Sequence, residues 1–450
     1  MGVEEALGES PYQAYLYSYP HKTAYGPVDP PRPLDALWSR EQKDALFLYV
    51  HVPFCEQRCG FCNLFTIAGA GDDSRRAYLA SVVRQARVVR DALGPDARFA
   101  RFAMGGGTPT FLEAREIDAL LGAVRDALGA DLPRMPCSVE TSPETATMER
   151  LAVLRAHGID RVSMGVQSTF DSENASVLRR QRFADVTAAV ERMRALGFPT
   201  VNLDLMYGLS GQTRESWLAS VRVMIALRPE EIYLYPLYVR PLTSLGKRTG
   251  TPSDAAWDAT RLSMYRDARA LLLAAGYAQT SMRMFQRCGA ERVEGPVYCC
   301  QADGMVGLGP GARSYTSELH YSSAFAVGPD RVRELIGAFV ERSDPEHARA
   351  DWGFELDEED RRRRFVILSL LSTEGLDLVT YRARFGTDAI EDLGELRVIA
   401  ESRNPDGEPL ALRTDDRLVL SPAGIERSDQ IGPFLRSPRV RARMTANVLR

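Results

Sequence analysis

Cys55, Cys59 and Cys62 stand within eight residues of one another in HVPFCEQRCGFCNLF, so a single loop gathers three soft thiolates into one small volume. Thiolates select zinc, Cu(I) or iron–sulfur clusters. A structural zinc site is closed by four protein ligands in paired C-x2-4-C spacings, and this stretch supplies three. His51 is a neighbour able to act as a fourth, but FLYVHVPF is an apolar, β-branched run that reads as a strand, so the pleat sets where its ring points. A cubane [4Fe-4S] cluster also takes four ligands, and three cysteines leave one iron open to something that is not protein. The chemistry expected here is that of an iron–sulfur centre carrying a substrate or cofactor on its open iron.

A glycine-rich stretch, GGGTPT over 105–110, follows the run FARFAM. Three glycines let a backbone come close to a ligand, and the turn is expected to offer free N–H groups to a carboxylate. Nucleotide-phosphate readings fail on detail, since there is no GKS/T and no G-x-G-x-x-G opening a helix.

Both stretches need a frame to hold them side by side. Between 46 and 240 short β-branched runs alternate with amphipathic segments: FLYVHVPF, FARFAMGGG, PCSVETS, DRVSMGVQS, TVNLDLMYG and EIYLYPLYV. Six strands separated in this way imply parallel βαβ units, with helices expected over 75–93, 113–128, 143–157, 183–196 and 215–227. The expected fold class is α/β, a partial (β/α)6 barrel short of the eight units of a full one. Ligands bind at the carboxyl ends of the strands in such folds.

The C-x3-C-x2-C spacing after the first strand of an α/β chain resembles the signature of radical S-adenosylmethionine enzymes. More closely, LYVHVPFC, GGGTPT, SVETSP, RVSMGVQS and NLDLMYGLSGQT run in the order found in oxygen-independent coproporphyrinogen III oxidase and its relatives. This resemblance spans about residues 12–435. It implies a [4Fe-4S] cluster on Cys55, Cys59 and Cys62 whose open iron holds the amino and carboxylate groups of S-adenosyl-L-methionine, with a second such molecule in some relatives. One electron from the cluster then breaks the sulfonium carbon–sulfur bond to release a 5'-deoxyadenosyl radical.

Carried over residue by residue, the resemblance places Tyr49 near the sulfonium and the backbone of Phe61 at adenine. Gly106, Gly107 and Thr108 become the methionyl-binding turn. Glu140, Gln167, Arg179 and Asp204 match polar positions that hold ribose, carboxylate or a second S-adenosylmethionine, and Tyr238 matches a backbone-contacting position. A plainer reading has Glu140, Gln167 and Asp204 satisfying strand-end amides and Arg179 serving as a surface helix charge. The resemblance also implies a small-molecule substrate, a flavodoxin- or ferredoxin-type electron donor, an N-terminal segment covering the active site and a C-terminal helical lid.

The chain departs from that pattern at Leu64, where the oxidases carry a further cysteine two residues past the third cluster ligand. The form CNLF looks more like relatives that act as heme chaperones or class C radical methyltransferases. Arg240, Arg283, Arg313 and Tyr315 are expected to face a substrate pocket, with Arg283, Arg313 and Tyr315 as catalytic candidates. Arginines suit a carboxylate-bearing or phosphorylated substrate because the planar fork pairs bidentately. Cys299 and Cys300 either relay a radical or fill the core, and Cys137 and Cys288 read as core or incidental. Three functions compete: a radical enzyme catalysing oxidative decarboxylation or methyl transfer, a heme chaperone with His21 or His320 as the axial ligand, and a zinc-stabilised interaction protein.

Composition bounds the rest. A formal charge of -4 over 450 residues argues against non-specific nucleic-acid binding, which needs a basic face. The run Arg361 to Arg364 is expected to be a solvated helix face. MGVEEALGESP lacks a basic region followed by an apolar core, and no apolar run reaches bilayer length. Seven scattered cysteines suit a reducing compartment, so a cytoplasmic protein is expected. Past residue 331 the chain turns Arg/Glu-rich and helical and then enters DDRLVLSPAGI, a hairpin followed by a helix start. The expected division is a covering segment over 1–45, a radical S-adenosylmethionine core over 46–330, and a small helical or winged-helix-like module over 331–450.

Overall fold

Six strands form where β-branched and aromatic residues cluster: β1 Leu46–Val52, β2 Phe99–Gly106, β3 Cys137–Thr141, β4 Arg161–Gln167, β5 Thr200–Tyr207 and β6 Glu231–Pro236. They lie in chain order in one sheet and are all parallel. Parallel neighbours need a long crossover, and helices supply it: α1 Asp72–Leu93, α2 Ala114–Leu128, α3 Met148–Ala156, α4 Phe183–Ala195 and α5 Arg214–Leu227. These features come from a computed structural model that describes residues 7–8, 10–250, 254–290 and 304–447. Cys299 and Cys300 lie outside the described residues.

The two-residue period of each strand divides its side chains between two environments. On β4, Val162, Met164 and Val166 are fully buried in the main apolar core, while Arg161 and Ser163 line a central cavity. On β5, Val201, Leu203 and Leu205 enter the core, whereas Asn202 and Asp204 line the cavity. Burying such a side chain contributes roughly 1.5–3 kcal/mol, so the helix-facing half of each strand fixes the register and leaves the inner half free for polar groups.

Local chemistry trims the helices. Thr147 caps α3 by accepting from the Arg150 N–H, and residues 143–147 form a turn in which the Ser142 and Thr145 hydroxyls lie 2.8 Å apart. The helix expected from 143 therefore starts at 148. The segment GYAQTSMRMFQR is not one strand but a hairpin of Tyr277–Gln279 and Met284–Arg287, laid antiparallel against β6.

On the other side, Met305–Leu308 joins β1 in parallel. The sheet continues through Arg313–Tyr315, Leu319–Ser322 and Arg349–Glu355 to the N-terminal strand Gly26–Pro33. Among the described residues it counts thirteen strands and runs across both expected boundaries, near 45 and near 330. β1 and β6 are not neighbours, so the barrel stays open.

The C-terminal part combines helices Glu358–Leu370, Leu378–Phe385 and Gly394–Glu401 with a small sheet of Leu376–Asp377, Arg417–Leu420 and Ala411–Arg413, a winged-helix-like arrangement. The expected solvated run at Arg361 to Arg364 is overturned in its second half. Arg363 and Arg364 are 6% and 3% exposed. Arg363 pairs with Glu359 and Glu395, and Arg364 donates to the Tyr19 carbonyl at 2.8 Å. The helix carrying them is packed between the N-terminal segment and the rest of the module, so each charge needs a partner. Among the described residues no helix is long and apolar enough to cross a membrane.

Candidate active site

The loop after β1 carries the three cysteines, none of them in a disulfide and each half-buried. Their sulfurs act on one another electrostatically. Among the described residues no three Cys, His, Asp or Glu side chains converge tightly enough for a single metal ion. Burial pushes the Cys55 thiol up to about 12, against a hydrogen bond to the Thr108 side chain. Burial raises Cys59 as well, opposed by Arg179, whose Nη1 lies 3.2 Å from the Cys59 sulfur. Thiols raised in this way stay protonated until a cationic ligand displaces the proton. Three soft donors on one loop fit an iron–sulfur cluster.

Beside this loop the glycine turn does not do what the sequence suggests. Its N–H groups are already used: Gly106 donates to Glu140 Oε2 at 2.9 Å, and Gly107 and Thr108 donate at 2.8 Å to the carbonyls of Val52 and Phe54. What the glycines provide is room. A Cβ on Gly106, at φ +104°, would stand 2.2 Å from the His51 ring, and one on Gly311 2.7 Å from it. His51 fills that slot with one ring nitrogen 2.9 Å from the Phe65 carbonyl and the other 3.5 Å from the Tyr49 hydroxyl. Burial holds its pKa down to about 4, so it is neutral. It ties β1 to the far end of the cysteine loop and is no fourth ligand.

The inner faces of the strands enclose a cavity of about 360 Å³, lined among others by Tyr49, Gly105, Glu140, Arg161 and Asp204 and covered by Tyr15, Tyr17, Ile367 and Leu371. Burial raises the Glu140 carboxyl, opposed by the Gly106 N–H. Burial lifts Asp204 to about 7, against a hydrogen bond from Asn202 and the charge of Arg161. Asn202 Nδ2 reaches Asp204 and the Ser163 hydroxyl, each at 2.7 Å. Asn202 Oδ1 is buried with no hydrogen-bond partner. Arg161 is held by Glu231 at 2.7 Å and by the Ser138 hydroxyl.

A thiolate loop set over the carboxyl ends of six parallel strands matches known proteins. The model of the radical SAM superfamily matches residues 49–224, from β1 into α5. The oxygen-independent coproporphyrinogen III oxidase of Paracoccus denitrificans is 31% identical over 392 residues, covering 81% of this chain and 84% of that protein. The chain belongs to this radical S-adenosylmethionine family. The heme chaperone of Bacillus subtilis is 26% identical over 79% of this chain and 93% of that one. The coproporphyrinogen III oxidase of Escherichia coli, described as a radical SAM enzyme, superposes with a TM-score of 0.77 at 22% identity, covering 94% and 96% of the two chains, and so shares the fold.

Membership of the radical S-adenosylmethionine family carries with it a [4Fe-4S] cluster and S-adenosylmethionine. Tyr49, Glu140 and Asp204 line the cavity, and Gly106 contacts Glu140 from the turn beside it. Gln167 ends β4 at φ +65°, next to Arg179, which also donates to the Gly165 carbonyl at 2.7 Å. Phe61 packs into a smaller apolar group with Val177, Leu209 and Tyr235. Tyr238 donates to Asp429 of the C-terminal module.

The catalytic candidates fare less well. Arg283 lines the cavity but is 4% exposed and paired with Asp429, so its charge is already matched. Tyr315 is fully buried in a packed group with Phe47, Ala103 and Met305. Arg313 reaches the Ser18 hydroxyl at 2.8 Å. Sequence reasoning missed Arg161, Ser163, Asn202 and Tyr233. The signal was available: polar side chains at every second position of otherwise apolar strands mark the inward face.

Proposed function

We propose that the chain is a radical S-adenosylmethionine oxidoreductase acting on a small, carboxylate-bearing molecule of the coproporphyrinogen type, by oxidative decarboxylation of a propionate arm, in which one hydrogen atom goes to the 5'-deoxyadenosyl radical and the electron left as carbon dioxide departs goes to an external one-electron acceptor. The observation that carries this reading is a three-thiol loop opening onto a polar-lined cavity, in a chain coextensive with a coproporphyrinogen oxidase relative. When bound at Cys55, Cys59 and Cys62, the cluster supplies the electron that converts S-adenosylmethionine into a hydrogen-abstracting carbon radical. The residues do the rest.

Glu140, braced by the Gly106 N–H, orients an amino or hydroxyl group at the strand ends. Gln167 and Arg179 flank the Cys59 side and hold ribose or carboxylate, and Tyr49 and Phe61 bound the nucleoside. Gly106, Gly107 and Thr108 make room for the methionyl arm. Asp204 faces the cavity as a carboxyl poised to accept or give a hydrogen bond near neutral pH. Tyr238 acts through Asp429. Tyr15, Tyr17, Ile367 and Leu371 exclude water from the reacting region, in keeping with a covering segment over 1–45 and a lid over 331–450. One S-adenosylmethionine per cluster leaves the rest of this cavity to the substrate. The electron comes from a flavodoxin- or ferredoxin-type donor, and the cluster suits the reducing cytoplasm.

A heme-chaperone reading is favoured by Leu64 and by the Bacillus subtilis relative. Against it, His320 is fully buried against Tyr315, and His21 is faced by four cations, which leaves both poorly suited as axial ligands.

Anaerobically reconstituted protein, reduced with S-adenosylmethionine and coproporphyrinogen III, is expected to release 5'-deoxyadenosine and carbon dioxide. Cys59→Ala is expected to lose the brown absorbance and both products to below detection. Heme uptake without product, read by its Soret band, overturns the enzymatic reading.

A further inference from the structure

A lysine of the N-terminal segment ends against the cysteine loop. Lys22 begins the short 3-10 turn Lys22–Ala24 and is 8% exposed. Its Nζ lies 3.4 Å from the carbonyl of Asn63, the residue that directly follows Cys62. The same ammonium stands 3.6 Å above the Phe325 ring, which packs 6.0 Å from Phe65 at the far end of the loop. These distances hold the cation against the stretch that carries the third cysteine.

A buried ammonium is ordinarily paired with a carboxylate. Among the described residues Lys22 meets none, only one carbonyl and one ring face. Glu56, the loop's one acid, lines a separate groove with Arg179, Arg180 and Arg182. The segment is tied down on either side of Lys22 along the chain. Tyr19 donates to Asp360 of the C-terminal module at 2.7 Å, and the Tyr25 carbonyl accepts from Asn447 at 2.9 Å. Burial lowers Lys22 to about 8, so the ammonium keeps its proton at neutral pH. A [4Fe-4S] core on three thiolates is anionic and grows more so on taking an electron, and the net charge around a cluster helps to set its potential. A fixed cation beside it favours the added electron.

We propose that Lys22 is the countercharge of the cluster held by Cys55, Cys59 and Cys62, and that it raises the potential at which that cluster accepts its electron. The segment that covers the cavity thereby also eases reduction, because seating it brings the charge to the loop. This role goes beyond the proposed function, since it needs the cluster but no particular substrate.

The measurement is the midpoint potential of the anaerobically reconstituted full-length protein without substrate, read from the electron paramagnetic resonance of the reduced cluster in a titration with dithionite and mediators. Lys22→Met removes the charge and keeps an apolar stem. At an effective dielectric of about 20, a unit charge roughly 10 Å from another changes an equilibrium about tenfold. The ratio of reduced to oxidised cluster at a fixed solution potential is therefore expected to fall about tenfold, about 59 mV for one electron. Lys22→Arg is expected to stay close to wild type. Iron content and cluster absorbance report loading; if Lys22→Met does not load, Lys22→Gln, which keeps a donor for the Asn63 carbonyl, gives the same comparison. A midpoint unmoved by loss of the charge overturns the proposal, as does an equal fall in Lys22→Arg. Should only Lys22→Arg load, the charge is needed to hold the anionic cluster and the pairing is supported; loss of loading in all three variants overturns it. Wild type that shows the shift against Lys22→Met but does not turn over coproporphyrinogen III overturns the proposed function and supports the role of Lys22.

Discussion

Asp204 shows what a cavity does to one carboxyl. Burial is the main cause of its rise to about 7, and the nearby Glu140 and Glu231 add to it. An unfolded chain ionises an aspartate near 4, so the folded state binds this proton more tightly than the unfolded one does. The stability the protonated form brings is complete below about pH 4 and is lost as pH rises through about 7. Asp204→Asn, which cannot ionise, is therefore expected to raise the melting temperature by several degrees more at pH 8 than at pH 5, read by circular dichroism. An equal change at the two pH values would show that the site stays hydrated and the carboxylate charged.

Among the elements, the glycine turn after β2 is the tightest junction. It seats His51, and through His51 it fixes β1 and the cysteine loop together. Gly106→Ala meets two obstacles, a positive φ and a ring 2.2 Å from the new methyl group. A loss of about 2–4 kcal/mol is expected in urea unfolding. His51→Ala in the same background removes the clash but not the backbone penalty, so the double variant is expected to lose less than the two single losses added together. Strict additivity would mean that turn and ring do not press on one another. The strands were legible in their apolar runs and the helices in their period, because each needs only neighbours in sequence. The hairpin Tyr277–Gln279 with Met284–Arg287 was not, since its break at Ser281 comes from pairing with β6 rather than from a Gly or Pro signal.

Across the whole molecule, the C-terminal module is locked to the core by a buried ion pair. Arg283 sits between the two hairpin strands and Asp429 in the helix Ser428–Phe434, with exposures of 4% and 1%. Tyr238 donates to the same carboxylate. Removing one partner strands the other charge out of water, so Asp429→Asn is expected to cost about 3–5 kcal/mol and to make the module a preferred target of limited proteolysis. Arg283→Met/Asp429→Leu, which removes both charges, is expected to recover most of that stability. If it does not, the pair contributes more than mutual neutralisation.

The spacing of Cys55, Cys59 and Cys62 and the order of the strand motifs specified the family, the three-cysteine loop and the open barrel, because residue spacing and strand period are properties of neighbouring residues. Which arginine enters a buried ion pair depended on contacts made across hundreds of residues. Arg283 and Arg313 look alike along the chain, yet one pairs with Asp429 and the other donates to the Ser18 hydroxyl. The glycines at 105–107 suggest a donor of N–H groups, but β1 and Glu140 close on those groups in the fold. Charge and hydrogen-bond partners are assigned by packing, and packing exists only once the distant segments have met.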